Sequence, residues 1–119
     1  MPWNLTNDRP IYLQLIDHIK LQILSGTYNP GDSFPSVREL AAEAAVNPNT
    51  MQKALAALEQ EGLLIGSRTS GRSVTTDQSL ILDMRDSLAE QFYNRFHEQL
   101  LHLGYREEEV KKYLLKKLA

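Results

Sequence analysis

Apolar residues return every fourth position along "RPIYLQLIDHIKLQILSG". Ile11, Leu15, Ile19 and Ile23 thereby share one face of a first helix. Asp8 is expected to cap it, Pro10 to fill its first turn and Gly26 to end it. "YNPGD" follows as a turn with Pro30 and Gly31 at its centre. "PSVRELAAEAAV" predicts a short second helix with Val37, Leu40 and Ala41 facing inward. Ser36 is its cap, and Glu39, three residues on, completes a capping box. A third helix opens at Asn47, with Pro48 in its first turn. Met51, Ala54, Leu55 and Leu58 are its buried stripe, and Gly62 closes it.

The period then changes. "LLIG" and "RSVTT" predict two short strands around the polar loop "SRTSG", a hairpin signal. Beyond Thr76 the helical spacing resumes. "LILDMRDSLAEQFYNRFHEQLLHLG" is one long helix ended by Gly104, with Ile81, Met84, Leu88, Phe92, Phe96, Leu100 and Leu103 recurring at three and four. "REEEVKKYLLKKL" is a last helix, with acids at its start and lysines at its end as the helix dipole prefers. Val110, Tyr113 and Leu114 mark its apolar side. The expected fold class is mainly α (α+β): a winged helix-turn-helix over residues 1–76, then a two-helix segment over residues 77–119.

Composition narrows the function classes. The 119 residues are 42% hydrophobic, enough for one modest core and an appendage. Without cysteine there is no disulfide framework, thiol nucleophile or zinc-thiolate site. No signal peptide or membrane span is expected, which points to a cytoplasmic protein. There is no nucleophile–base pair, Gly-rich phosphate loop or "HExxH" pattern, so neither an enzyme nor a cofactor is expected. His97 and His102 are five apart, off a shared helix face, and His18 lies on a distant helix, so no metal site is expected.

Three helices and a hairpin, with a tight turn before the third helix, are the order of a fold that projects the start of its third helix into the DNA major groove. The residues there suit that task. Asn49 and Gln52 can hydrogen-bond adenine, and the Thr50 methyl can meet a thymine methyl. Backbone N–H groups at the helix start favour phosphate. Arg38 and Lys53 supply charge to the phosphate backbone, and Arg68 and Arg72 flank the hairpin loop, within reach of an adjacent groove.

The stretches "NPGD", "PSVRELA", "VNPNT", "AL..LE.EGL" and the Gly-containing wing together resemble the DNA-binding domain of GntR-type bacterial transcription regulators, over about residues 10–76. The resemblance implies a winged helix-turn-helix repressor of double-stranded operator DNA. It implies contacts at Ser36, Arg38, Asn47, Asn49, Thr50 and Gln52 and at the wing near Gly71. The short C-terminal part is similar to the YtrA-type subfamily, in which two helices mediate dimerisation and neighbouring transporter genes are common targets. Two positions depart from the family pattern. Ala45 stands where the turn usually carries Gly, which implies strain of about 1 kcal/mol if its φ is positive. The wing also holds less glycine than usual.

The C-terminal helices carry too wide an apolar stripe to close a core alone. A homodimer is expected, through Ile81, Met84, Leu88, Phe92, Phe96, Leu100, Leu103, Tyr113 and Leu114. Tyr93, Tyr105 and Tyr113 are expected to pack at that interface. About 43 residues cannot enclose a dedicated ligand domain, so an unknown small-molecule effector would bind at the dimer interface or between domains. The formal net charge of −2 does not advertise a polyanion partner. The local answer is that Arg38, Lys53, Arg68 and Arg72 face one side, with Glu39, Glu43, Glu59 and Glu61 turned away. The balance also keeps a rival open, a winged helix that meets another protein without reading DNA. A second rival is a small-molecule sensor whose DNA binding is wholly ligand-gated.

Overall fold

The computed structural model describes residues 3–119. Along the chain run α1 (Ile11–Leu24), α2 (Val37–Ala44), α3 (Pro48–Gln60), β1 (Leu64–Ser67), β2 (Gly71–Val74), α4 (Gln78–His102) and α5 (Glu107–Leu118). They form two compact units, Met1–Asp83 and Met84–Ala119. The division falls inside α4 and not at Thr76. The reason is local packing: Ile81 is only 8% exposed, and Leu80 places a methyl 3.2 Å from where a Cβ on Gly62 would sit. The first turn of α4 therefore belongs to the winged unit.

In that unit α1 and α2 pack on α3. Leu15, Ile19, Met51, Ala54, Leu55, Leu58 and Leu63 are fully buried between them. Lys53 on α3 lays its ammonium 3.8 Å from the centre of the Tyr12 ring on α1. α1 starts at Pro10 with no side-chain cap. Asp8 does not cap it. Its carboxylate accepts instead from the Thr6 hydroxyl, and that bond holds its pKa below the usual carboxylate value. Trp3 stacks on His18 of α1 with ring centres 4.1 Å apart. The buried His18 Nε2 has no hydrogen-bond partner. Burial lowers the His18 pKa, and the Glu43 carboxylate opposes that shift.

The turns follow the sequence closely. Asp32 N–H donates to the Asn29 carbonyl at 3.1 Å across Pro30 and Gly31, with Gly31 at φ 84°. Ser36 and Glu39 form the reciprocal capping box on α2. α2 and α3 end alike. Val46 N–H reaches back to the Ala41 carbonyl, and Leu63 N–H to the Leu58 carbonyl, each across a left-handed residue. That residue is Gly62 in α3 and Ala45, at φ 57°, in α2. The alanine therefore does sit in the strained region its position implied.

β1 and β2 pair antiparallel, Leu64 opposite Val74 and Gly66 opposite Arg72. The hairpin is wider than two strands. Phe34 N–H donates to the Arg72 carbonyl, Val74 N–H to the Asp32 carbonyl, and Gly31 N–H to the Val74 carbonyl. The segment after the Pro30–Gly31 turn thus covers the outer edge of β2.

In the second unit the later part of α4 meets α5. Phe96 packs on Tyr113, and Tyr105 meets Tyr113 edge-to-face at 6.2 Å. α4 ends at Gly104, φ 100°, where Tyr105 N–H returns to the Leu100 carbonyl. α5 carries Glu107, Glu108 and Glu109 in its first turn and Lys116 and Lys117 in its last, as the dipole favours.

Candidate nucleic-acid interface

The start of α3 is built from its cap outward. Asn47 sits in extended backbone conformation, and its Oδ1 accepts the Asn49 N–H at 2.7 Å. Pro48 has no N–H to satisfy, and Thr50 and Met51 donate to the Asn47 carbonyl. The N–H groups expected to greet a phosphate are thus already bonded locally. What this end offers is side chains. Asn49, Gln52 and Lys53 are exposed and Thr50 is half-buried. Asn47 organises the helix start, and Ser36 does the same for α2, its hydroxyl accepting the Glu39 N–H at 3.2 Å. Arg38 projects from the first turn of α2, exposed and free of ion pairs among the described residues.

A segment that the sequence did not flag stands beside this nose. Leu5, Thr6 and Asn7 line a groove of about 450 Å³ together with Ile11, Ala44–Asn47 and Thr50. Gln14 holds the segment in place. Its amide donates to the Thr6 and Arg9 carbonyls at 2.9 and 2.8 Å, and its Oε1 accepts the Thr6 N–H at 2.8 Å. The bond from Gln14 to Thr6 spans eight residues and has no signature in any local pattern.

The wing is short. Ser67 faces Gly71 across three loop residues, and Gly71 takes φ 73° to close the hairpin. The Ser67 hydroxyl accepts the Thr69 and Ser70 N–H groups. Arg68 is exposed at this tip. Arg72 is not: its Nε lies 2.5 Å from Glu59 Oε1 on α3, and its side chain is 17% exposed. The expected segregation of acids from bases fails at this pair. Glu61 is also paired, with Lys20 at 2.8 Å. Acidic residues near the helix are therefore neutralised in part by ion pairing, not only by orientation.

A family model for bacterial regulatory proteins of the gntR family matches residues 11–74. The chain belongs to the gntR family. Its members are transcription regulators, not enzymes. The match begins at α1 and ends with β2, the elements that carry the α3 nose and the wing. The chain is 42% identical over 73 residues to the HTH-type transcriptional repressor YtrA of Bacillus subtilis strain 168, covering 61% of this chain and 56% of that protein. It superposes on a GntR family transcriptional regulator from Listeria monocytogenes with TM-score 0.85 and 34% identity, over 94% of this chain and 98% of that one. That likeness extends through both C-terminal helices. The DNA-binding domain of AraR, solved in complex with its operator, aligns with 60% of this chain and 92% of that domain, at TM-score 0.56 and 26% identity.

The expected dimer residues divide into three kinds by exposure. Ile81 and Leu100 are each 8% exposed within the chain and are not part of an outward stripe. Ile81 completes the winged unit; Leu100 is buried near the end of α4. Met84, Leu88, Phe96, Tyr113 and Leu114 are half-buried. Phe92 and Leu103 remain open, 49% and 74% exposed, as does Tyr93, and sequence reasoning missed Leu115 and Leu118, also exposed. His97 is bonded to Glu107 at 2.8 Å. Among the described residues no three His, Asp or Glu side chains gather to hold a metal, and no helix is long and apolar enough to cross a membrane.

Proposed function

We propose that this gntR-family protein is a cytoplasmic, sequence-specific repressor that binds a palindromic operator as a homodimer. The observation that carries the proposal is the nose of α3, where a capped, rigid helix start presents exposed Asn49 and Gln52 with Thr50 beside them. Neutral amides distinguish base edges by hydrogen bonding, whereas Arg38 and Arg68 give register through phosphates. The operator complex of AraR and the repressor YtrA support this reading by family likeness.

The dimer has a separate support. Phe92, Tyr93, Leu103, Leu115 and Leu118 leave large apolar side chains in water on the C-terminal unit. A second copy presents the same residues, so a two-fold interface covers both sets at once. Two α3 helices then read half-sites about one helical turn apart. Transporter genes beside its own are the first targets to test, with a small-molecule effector as the signal.

The test uses duplexes tiled across the DNA upstream of the protein's own gene. The expected result is one tile shifted selectively, with a footprint of internal two-fold symmetry and two protomers bound. Binding of equal strength to every tile, or to none, ends this reading.

A further inference from the structure

We propose that Glu59 acts as an internal stand-in for a DNA phosphate. It holds the Arg72 guanidinium against α3, keeps that charge out of the duplex contact, and leaves Arg68 as the wing's cation toward DNA. This deepens the DNA-binding reading above and rests on it.

The geometry starts from the hairpin register. Leu64 and Val74 face each other and are buried. Two residues along each strand stand Gly66 and Arg72, on the same face of the hairpin because side chains alternate with a period of two. Arg72 therefore turns inward, where the Glu59 carboxylate meets it at 2.5 Å. The Arg72 side chain is largely withdrawn from water, 17% exposed, and Glu59 is half-buried at 35%.

Gly66 explains how the carboxylate fits. Its φ lies outside the left-handed region, so backbone conformation does not demand glycine there. Space does. A Cβ on residue 66 would lie 2.9 Å from Glu59 Oε1 and 3.3 Å from its Cδ. The bare position is the slot that the carboxylate occupies. A guanidinium already bonded to a carboxylate gains little by moving to a phosphate, since it exchanges one anion for another. Salt dependence counts only phosphates that are neutralised. Arg68, exposed at the loop with no ion pair among the described residues, carries no such restraint.

The experiment measures operator affinity against salt concentration for the full chain and five variants. Gly66→Ala keeps both charges but pushes the carboxylate aside; the three atoms nearest the new methyl all belong to the flexible end of Glu59, so the fold tolerates it. Glu59→Gln removes the competing charge. Both are expected to steepen the slope of log affinity against log salt by about 0.9 per subunit. Glu59→Gln with Arg72→Gln returns to the parent slope. Arg72→Gln alone leaves the slope unchanged, and Arg68→Gln makes it shallower by about 0.9 per subunit. Thermal unfolding confirms that each variant is folded, and Gly66→Ala carries the test by itself if Glu59→Gln is not. The proposal is overturned if Arg72→Gln alone makes the slope shallower. It is also overturned if Glu59→Gln steepens the slope while Gly66→Ala does not, because the effect is then bare charge near DNA. A parent with no site-selective, salt-dependent binding sinks the DNA reading itself; a parent that binds with all slopes coincident sinks only this proposal.

Discussion

In the winged unit Leu15, Ile19, Met51, Leu55, Leu58 and Leu63 are each 0% exposed, whereas beyond Asp83 only Leu100 and Val110 are buried. The same chain therefore contains one unit with a closed apolar core and one with almost none. Three helices crossing one another and a hairpin laid over them enclose a volume, so side chains from several directions meet. Two helices can only press one face of each together, and the remaining faces stay wet. The aromatic pairing of Phe96, Tyr105 and Tyr113 closes the α4–α5 seam, while Phe92, Leu103 and Leu118 remain outside it. The lesson is one of geometry: the first unit closes a core of its own, and the second leaves large apolar side chains open.

Leu55→Ala is expected to have the largest effect. Leu55 is fully buried on α3, and its truncation is expected to lower stability by about 2–5 kcal/mol in thermal or denaturant unfolding. Leu103→Ala, at 74% exposure, should leave the unfolding of the protomer almost untouched. Equal losses at the two sites contradict the contrast between units.

Phe92→Asp places a charge on the open face of α4. Sedimentation is expected to show a monomer, and operator affinity should fall by roughly a hundredfold or more as the second half-site contact ceases to be intramolecular. Retention of a dimer at micromolar concentration moves the interface elsewhere.

Within the winged unit, Asn49→Ala and Arg38→Ala separate the two kinds of contact. Asn49→Ala should cost about 1–3 kcal/mol at one base position and relax preference there. Arg38→Ala should weaken all duplexes alike and reduce the salt slope by about 1. Matching profiles for the two variants would collapse the assignment of roles.

Ala45→Gly relieves the left-handed alanine between α2 and α3 and should stabilise the unit by about 1 kcal/mol in denaturant unfolding. The smallest effect concerns pH. The folded His18 pKa lies below its ordinary value because burial against Trp3 disfavours the charged imidazolium. The unfolded chain therefore binds more protons between the two pKa values, and stability rises with pH across that window. The contribution is complete above the ordinary histidine value, about 6.5, and fades as pH falls through it toward the folded pKa. Unfolding midpoints at successive pH values should show this slope in the parent and a flatter one in His18→Phe.

Short-range patterns made much of the first unit legible. Apolar spacing marked α1, α2 and α3, and the polar residues at 36, 39 and 47 marked where two of them begin, because caps and helical stripes are properties of residues within one or two turns. The α3 nose was legible for the same reason. Asp8 misled, because a cap requires the right backbone geometry as well as an acceptor, and Thr6 claimed that carboxylate first. The Glu59–Arg72 pair was half visible: alternation from Val74 places Arg72 inward, but nothing local says that a residue thirteen positions earlier waits there.

By itself, then, the sequence determined the order and kind of the elements, the start of α3 and the residues it exhibits, and the family through its joint motifs. Tertiary structure alone decided four things. It drew the first turn of α4 into the winged unit, laid residues 31–34 along β2, braced Leu5–Asn7 beside Asn47, and paired Glu59 with Arg72 over Gly66. Each of these joins groups far apart along the chain. Such contacts depend on which faces happen to meet once the core closes, and a local pattern of hydrophobic and polar residues carries no record of that meeting.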